Sequence, residues 1–300
     1  MNRQKQGTIS KLALFGASLI WGSSFLIMKN SVDAIEPHFL LGIRFTIGCL
    51  LLCLLFHRRL KSLNRSYFFR GGLIGLLLFL AYSLQTIGLT DTTPGKNAFL
   101  TAIYCVLVPF LYWVVDRKKP DAYHLAAAFI SIVGIGLVSI DSNLTIRFGD
   151  AFTLAGGFFY AAQMVAVAKF GRDRDPVLIT ILQFAYAALF SWIVAIFSED
   201  MVLPKNAGVL TGILYLSVFA TAVALLLQNV GQKYTSPAPA AVILSLESVF
   251  GVLFSVIFYR EEVNLKLLIG FLFIFLAVII SETKLSFLKR SNKRYPVIKT

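Results

Sequence analysis

The stretch Leu84-Gln85-Thr86-Ile87-Gly88, followed by Thr92 and Pro94, decides the fold because it occurs twice in this chain of 300 residues. Its second copy is Leu227-Gln228-Asn229-Val230-Gly231, followed by Thr235 and Pro237, at a constant offset of 143 residues. Five of the eleven positions compared are identical. A second match, at an offset of 139, pairs Trp21, Pro37 and Arg44 with Tyr160, Pro176 and Gln183. Repetition of this kind indicates that both halves of the chain share one plan.

The composition places this repeat in a membrane. Hydrophobic residues make up 57% of the chain and charged residues 14%, which lies outside the range typical of soluble proteins. The apolar residues gather in segments of about 20 residues, the length of a helix that crosses a bilayer, and they lack the alternation of barrel strands. We therefore predict an all-α integral membrane protein with ten transmembrane helices, at 9–29, 37–56, 71–90, 94–115, 122–140, 150–169, 177–197, 208–230, 237–259 and 264–282.

The two copies are predicted to face opposite ways in the membrane. Helices 1–5 repeat as helices 6–10, and because five is an odd number, the second copy begins on the other side of the bilayer. Inverted repeats of this kind are the design of many secondary transporters. We expect a first five-helix repeat at 1–148, a second at 149–283 and a basic cytoplasmic tail at 284–300, with a central cavity on the pseudo-two-fold axis.

Lys and Arg residues set the expected orientation, since they are retained on the cytoplasmic side. With the N-terminus inside, 21 of the 28 Lys and Arg residues lie in cytoplasmic segments and six in outer links. We therefore predict a multi-pass protein of the inner (plasma) membrane with both termini in the cytoplasm. The net charge of +13 is explained by this topology, so no nucleic-acid partner is expected. The first apolar segment is interpreted as a retained helix, because no small-residue cleavage site follows it cleanly.

Two groups of residues give the chain a resemblance to a known family. The first is Trp21-Gly22-Ser23-Ser24-Phe25 with Pro37 and Arg44-Phe45, and the second runs from Leu227-Gln228-Asn229 through Thr235-Ser236-Pro237-Ala238 and Leu244-Ser245-Leu246-Glu247 to Glu261. This pattern resembles the EamA-like family of the drug/metabolite transporter superfamily over nearly the whole chain. The resemblance implies ten helices in two inverted repeats that move small organic metabolites by alternating access, and it favours export. Cys105 and Ser248 stand where that family's pattern leads us to expect proline in helices 4 and 9.

Among the 15 acidic residues, Glu247 alone lies deep in a predicted span, near the middle of helix 9. A central ionised carboxylate is costly in hydrocarbon, so it pairs, is protonated or faces water. Glu247 could therefore be a substrate or proton site, or it could form a structural hydrogen bond or a charge pair with Arg44. Arg44, inside helix 2, could bind a substrate carboxylate with two hydrogen bonds, or it could form a structural pair or snorkel towards the membrane surface.

Several polar and aromatic side chains lie at helical spacings that suit a cavity wall. Each repeat places an aromatic residue three positions before a hydrogen-bonding residue, on one face of its first helix. Helix 4 carries a polar stripe at i, i+4 and i+7, which is poor for lipid exposure. The candidate substrate-binding residues are Trp21, Ser24, Tyr82, Asn97, Thr101, Tyr104, Tyr160, Gln163 and Glu247, and the candidate gate residues are Gln85 and Gln228. For the substrate-binding residues the alternative is packing against other helices or lipid, and for Gln85 and Gln228 it is ordinary helix capping.

The most consistent function is a secondary transporter for a small organic metabolite, an amino acid or a drug-like compound. The bilayer is its environment, and the proton is a candidate coupling ion. Three Cys and three His residues at unsuitable spacings predict no metal site, and no cofactor is expected. An uptake permease of the same fold and a non-transporting scaffold or sensor are the alternatives. An enzyme is disfavoured because no catalytic motif occurs in the sequence.

Overall fold

The computed structural model describes residues 3–117, 119–139, 147–262 and 264–283 of the chain. These residues form ten long helices and no strand. The helices are α1 (Arg3–Val32), α2 (Pro37–Leu55), α3 (Arg65–Thr90), α4 (Pro94–Asp116), α5 (Ala122–Ser139), α6 (Phe148–Gly171), α7 (Pro176–Ser198), α8 (Ala207–Tyr234), α9 (Pro237–Tyr259) and α10 (Leu265–Thr283). The predicted basic tail at 284–300 and most of the link before α6 lie outside the described residues.

Eight of these helices are long and apolar enough to cross a membrane. The other two, α5 and α10, contribute shorter apolar stretches, Ala122–Leu137 and Leu265–Ile280. The chain is therefore a multi-pass, all-helical membrane protein. The ten predicted segments each fall on one helix, and the bounds differ most at the polar starts of α1 and α3, where the helix begins before its apolar part.

The helix starts follow from local chemistry. Pro37, Pro94, Pro176 and Pro237 open α2, α4, α7 and α9, where the missing backbone N–H of proline has no helical partner to lose. Asn64 explains the early start of α3, because its side chain accepts hydrogen bonds from the backbone N–H groups of Ser66 and Tyr67.

The ends of α4 and α9 share an uncommon backbone conformation. Arg117 and Arg260 follow these two helices with φ of 60° and 55°, and they are the two non-glycine residues with positive φ among the described residues. A left-handed residue after the last turn closes a helix by satisfying its free carbonyl groups. The two arginines are separated by the same offset of 143 residues as the repeated motifs.

Four helices depart from regular α geometry. α4 is interrupted at Ala102 and Ile103, between Pro94–Thr101 and Tyr104–Asp116. α8 contains a π-helical stretch, Leu216–Val223, and α6 and α9 end in π-helical turns. The break in α4 lies just before Cys105, so this distortion forms without the proline that we expected there. α9 runs as a regular helix past Ser248.

Corresponding helices of the two halves pack against each other in antiparallel pairs. His38, at the start of α2, contacts Glu199, which follows the end of α7. At the other end of this pair, Arg59 follows α2 and contacts Asp175, which precedes α7. α4 and α9 also pack on each other, as do α5 and α10.

Each of the remaining main contacts has a counterpart between the corresponding helices of the other half, where α1 corresponds to α6, α2 to α7 and so on. α3 packs on α6, and α8 packs on α1. α4 packs on α6, and α9 packs on α1. α3 packs on α7, and α8 packs on α2. The core therefore lies along the seam between the two halves, and the principal hydrophobic cluster draws residues from both of them.

Candidate functional site

A chamber lies in the seam, enclosed by α1, α2, α3, α4, α6, α8 and α9. Its lining residues are Trp21, Ser24, Phe25, Met28, Arg44, Tyr82, Gln85, Thr86, Leu89, Asn97, Tyr104, Tyr160, Met164, Gln228, Leu244 and Glu247. The cavity volume of the chamber is about 40 Å³. This volume holds a few water molecules, so the chamber is contracted relative to a typical ligand pocket of about 300 Å³ or more.

Two ionisable side chains, one basic and one acidic, line this chamber without pairing with each other. Arg44 is 2% exposed and Glu247 is 5% exposed. Arg44 donates hydrogen bonds from Nε to Thr221 Oγ1 at 3.2 Å and from Nη1 to Met28 Sδ at 3.1 Å. Within the described part of the chain, no ion pair joins Arg44 to Glu247, so the predicted charge pair is not formed in this structure.

A cluster of aromatic rings forms the wall between the two charges. The Arg44 guanidinium lies 5.2 Å from the centre of the Tyr82 ring, a contact that stabilises a buried cation. Tyr82 and Tyr160 pack edge to face with their centres 5.3 Å apart, and Tyr104 lies 6.4 Å from Tyr160. Glu247 lines the same chamber, next to the Tyr104 hydroxyl.

Two glutamine side chains reach the chamber from equivalent positions in the two halves. Gln85 Nε2 donates to Thr101 Oγ1 at 3.0 Å, and the Tyr160 hydroxyl donates to Gln85 Oε1 at 2.8 Å. Gln228 Nε2 donates to Gln163 Oε1 at 3.2 Å. Thr101 and Gln163 therefore lie behind the wall and orient the glutamines that form it.

Trp21 is held by the distorted part of α8. Its indole Nε1 donates to the backbone carbonyl of Ala220 at 2.8 Å, and Ala220 lies within the π-helical stretch Leu216–Val223. π-Helical turns disturb the regular ladder of backbone hydrogen bonds and are frequent at functional sites. Ser24 Oγ donates to the Trp21 carbonyl, one turn earlier in α1.

Three polar atoms in the chamber wall have no hydrogen-bond partner in the described residues. They are Thr86 Oγ1, Asn97 Oδ1 and Gln228 Oε1. Buried polar atoms without a partner cost about 1–3 kcal/mol each, so they require water or a ligand. The chamber therefore offers hydrogen-bonding atoms to water or to a polar ligand.

Beyond the chamber, two carboxylates, one at the start of α6 and one after α9, bind α4 and the link before it. The buried Asp150 carboxylate accepts from Lys96 Nζ at 2.8 Å and from Thr92 Oγ1 at 2.7 Å. Glu261, after α9, accepts from the Gly95 N–H at 3.0 Å and from the Thr93 hydroxyl. These carboxylates bind groups at the start of α4, which our predicted topology places on the outer side.

The structure places ten of the twelve predicted residues in the chamber wall: Trp21, Ser24, Arg44, Tyr82, Gln85, Asn97, Tyr104, Tyr160, Gln228 and Glu247. Thr101 and Gln163 lie one layer behind. The sequence argument missed six lining residues, Phe25, Met28, Thr86, Leu89, Met164 and Leu244. Five of the six are apolar, and an apolar residue in a membrane helix carries no mark that separates a cavity wall from core or lipid contact. Thr86 could have been found, since it lies within the repeated motif.

Among the described residues, no group of three or more His, Cys, Asp or Glu side chains could hold a metal ion.

The model of the EamA-like transporter family matches residues 8–140 and 147–283.

Similar proteins extend over most of the chain. An uncharacterized transporter of Archaeoglobus fulgidus is 34% identical over 269 residues, which cover 90% of this chain and 84% of that protein. The uncharacterized transporter YvbV of Bacillus subtilis is 24% identical over 94% of each protein. A solved crystal structure has the same fold, with a TM-score of 0.69 over 93% of this chain and 98% of that chain, at 18% identity.

Proposed function

Because the chain belongs to the EamA-like transporter family, we propose that it moves a small amphipathic organic solute, an amino acid or a close analogue, across the membrane by alternating access. The direction that we propose is export from the cytoplasm. The protein resides in the inner (plasma) membrane with both termini inside, as the distribution of Lys and Arg residues indicates.

The proposed architecture is a pair of inverted five-helix repeats, 1–148 and 149–283. Antiparallel packing of α2 on α7 supports it, since parallel repeats would give corresponding helices the same direction. The exchange symmetry of the helix contacts supports it as well. In this arrangement each half can close the chamber from one side, which is the geometry that alternating access needs.

The observation that carries the proposed substrate is the pair of unmatched charges in one chamber. A guanidinium and a carboxylate that line the same small space without contacting each other fit a solute that carries both signs of charge. Arg44 would bind the carboxylate of an amino acid, and Glu247 would bind its ammonium group. Each charge of such a zwitterion would then lie beside a group of the opposite charge, because Glu247 gives up its proton as the ammonium group binds.

The rest of the wall suits the remainder of such a solute. Trp21, Tyr82 and Tyr160 provide apolar faces for a side chain, while the unpaired atoms of Thr86 and Asn97 can take part in hydrogen bonds. Because the chamber is contracted, a solute of amino-acid size requires the helices to move apart. We propose Gln85 and Gln228, on α3 and α8, as the gate residues that this movement displaces.

Proton coupling is proposed at Glu247. A carboxyl group in the chamber can exchange its proton for the ammonium group of the solute, so that substrate and proton alternate at one position. Glu247→Gln removes this exchange because an amide cannot take up or release a proton near neutral pH. The variant keeps the size of the side chain.

The test is flux in proteoliposomes that contain the purified full-length protein. A thermal-shift screen of amino acids and analogues identifies the solute, since a ligand that binds the folded state raises its melting temperature. We expect wild-type flux to rise with an imposed pH gradient, Glu247→Gln to carry solute without responding to that gradient, and Arg44→Gln to weaken binding of the carboxylate at least tenfold. Glu262→Gln, at an exposed position after α9, is the matched control.

Three outcomes separate the alternatives. Flux that is retained in Glu247→Gln with an unchanged pH dependence contradicts proton coupling. Net accumulation in the inward direction in cells identifies an uptake permease. Binding of a partner protein without any solute flux, even after substitution of Asn97, Thr101 and Tyr104, identifies a scaffold or sensor.

A further inference from the structure

A second space, separate from the chamber, lies where α8 ends and α9 begins. Its walls include Arg172, Gln232, Lys233, Ser236 and Tyr112. It is a partly open cleft with a volume of about 470 Å³. We call this space the basic vestibule, and the predicted topology places it on the cytoplasmic side.

The charge of the basic vestibule has one sign. Arg172 and Lys233 line it, and none of the described residues that line it is acidic. Arg172 is exposed and makes no hydrogen bond or ion pair with the described residues. Lys233 Nζ donates to the Arg174 carbonyl at 3.1 Å and lies 5.9 Å from the centre of the Tyr234 ring. Neither cation is neutralised by a carboxylate, so an anion entering this space meets two uncompensated positive charges.

The start of α9 adds to this field. Ser236 is the N-cap residue, yet its side chain makes no capping hydrogen bond. Its exposed hydroxyl is therefore available to a ligand. The positive end of the helix dipole also favours an anion at this position.

Gln232 is the observation that points to a bound ligand. It lines the basic vestibule and is 4% exposed, and both its amide nitrogen and its amide oxygen lack a hydrogen-bond partner. A buried amide with neither atom paired is destabilising. A ligand in the basic vestibule that carries oxygen acceptors can pair its N–H₂ group.

The position of Gln232 connects the basic vestibule to the chamber. Gln228 lies four residues earlier on the same face of α8, lines the chamber and has an unpaired Oε1 atom. Four residues of an α-helix span about 6 Å. The amide that lines the chamber and the amide that lines the basic vestibule are thus one helical turn apart on the same face of α8.

We propose that the basic vestibule is a binding site for a single oxyanion, a carboxylate or phosphate group, held by Arg172 and Lys233 with Ser236 and Gln232 as hydrogen-bond donors. Its place in transport rests on the proposed function: the site receives the anionic group of a solute before the solute enters the chamber. The headgroup of an anionic phospholipid carries the same chemistry and is the other source of such a group.

The test measures equilibrium binding to the full-length protein in nanodiscs of phosphatidylcholine, without any flux. Inorganic phosphate and acetate are titrated calorimetrically in one arm, and short-chain phosphatidylglycerol in the other. We expect saturable binding that weakens at least tenfold in the double variant Arg172→Gln, Lys233→Gln. The control double variant Arg147→Gln, Lys205→Gln removes two exposed cations elsewhere and should bind as the wild type does.

Gln232→Leu distinguishes a ligand contact from a structural role. Removing an unpaired buried amide should raise the melting temperature, while loss of the ligand contact should weaken binding severalfold. Saturable binding of phosphate or acetate supports a soluble anion, and saturable binding of phosphatidylglycerol alone supports a lipid headgroup at the same site. The proposal is overturned if no probe binds, or if the Arg172 and Lys233 double variant binds as tightly as the wild type. Failure here leaves the flux experiment unaffected, because the two assays measure different steps.

Discussion

Buried ionisable residues in this protein are of two kinds: some are paired with a group of opposite charge, and some are not. Arg44 and Glu247 line a chamber and are not paired with each other, whereas Asp150 is paired with Lys96 at 2.8 Å and is fully buried. In the proposed transport mechanism, Arg44 and Glu247 stay unpaired because a substrate must be able to reach them. A charge with a structural role needs a permanent partner, since an uncompensated buried charge is strongly destabilising.

Asp150→Asn tests the structural role of that pair. The substitution leaves Lys96, whose side chain is 14% exposed, without its carboxylate, and we expect a loss of about 3–5 kcal/mol in the free energy of unfolding. Reversible unfolding in mixed micelles of mild detergent and dodecyl sulfate measures it. The double variant Asp150→Asn, Lys96→Met should recover most of the loss, because no unpaired charge then remains.

The matched control is Asp173→Asn. Asp173 pairs with Arg70 at 2.7 Å, but its side chain is 60% exposed, and exposed pairs contribute less than about 1 kcal/mol. Equal effects of Asp150→Asn and Asp173→Asn would show that burial does not set the strength of these pairs.

At the scale of helices, close approach depends on glycine at equivalent positions of the two repeats. A Cβ atom at Gly88 of α3 would lie 2.6 Å from the Gly149 carbonyl oxygen, and one at Gly231 of α8 would lie 2.5 Å from Leu14 Cγ. Both distances are shorter than a normal contact. The crossings of α3 with α6 and of α8 with α1 therefore rely on these two glycines, as is common between membrane helices.

Gly88→Ala and Gly231→Ala should each destabilise the protein by about 1–3 kcal/mol, the usual cost of overpacking a close contact. The same unfolding titration measures the effect. Gly7→Ala in α1 is the control, because a Cβ atom there would have no neighbour within 4 Å, and alanine is the better helix former. If all three substitutions were neutral, the two helix crossings would not be tight in the membrane.

For the whole molecule, the decisive property is the orientation of the two halves. Inverted repeats place the start of α2 and the end of α7 on the same side of the membrane. Single cysteines at the exposed positions Glu36 and Asp200 should react with a membrane-impermeant maleimide in intact cells. Cysteines at Arg58 and Asp173, which are also exposed, should react only after permeabilisation.

The wild-type protein, whose cysteines are half-buried or buried, measures background labelling. Reaction of Glu36→Cys and Asp200→Cys from different sides would mean that both halves point the same way. A known cytoplasmic cysteine in the same cells shows whether the maleimide has entered them. If that cysteine stays unlabelled, reaction of all four positions in intact cells is a valid result. Such a result would contradict the proposed topology.

Much of the architecture could be predicted from the sequence because the length and apolar composition of membrane helices identify them. Each of the ten predicted segments corresponds to one helix, and Pro94 and Pro237 open α4 and α9 as expected. The predicted bounds fell short at α3 because Asn64 caps the helix in its polar part. The break in α4 and the π-helical stretch of α8 have no clear signal in their residues.

The amino-acid sequence by itself determined that this is a helical membrane protein with a repeated plan, and it supplied the polar residues from which a site could be built. Tertiary structure decided which of them share the chamber. Each helical residue is rotated by about 100° from the one before it, so a small rotation of a helix moves a side chain from the wall to the layer behind. That is why Thr101 and Gln163 support the wall while Gln85 and Gln228 form it, and why Arg44 turns to Thr221 and Tyr82 instead of Glu247.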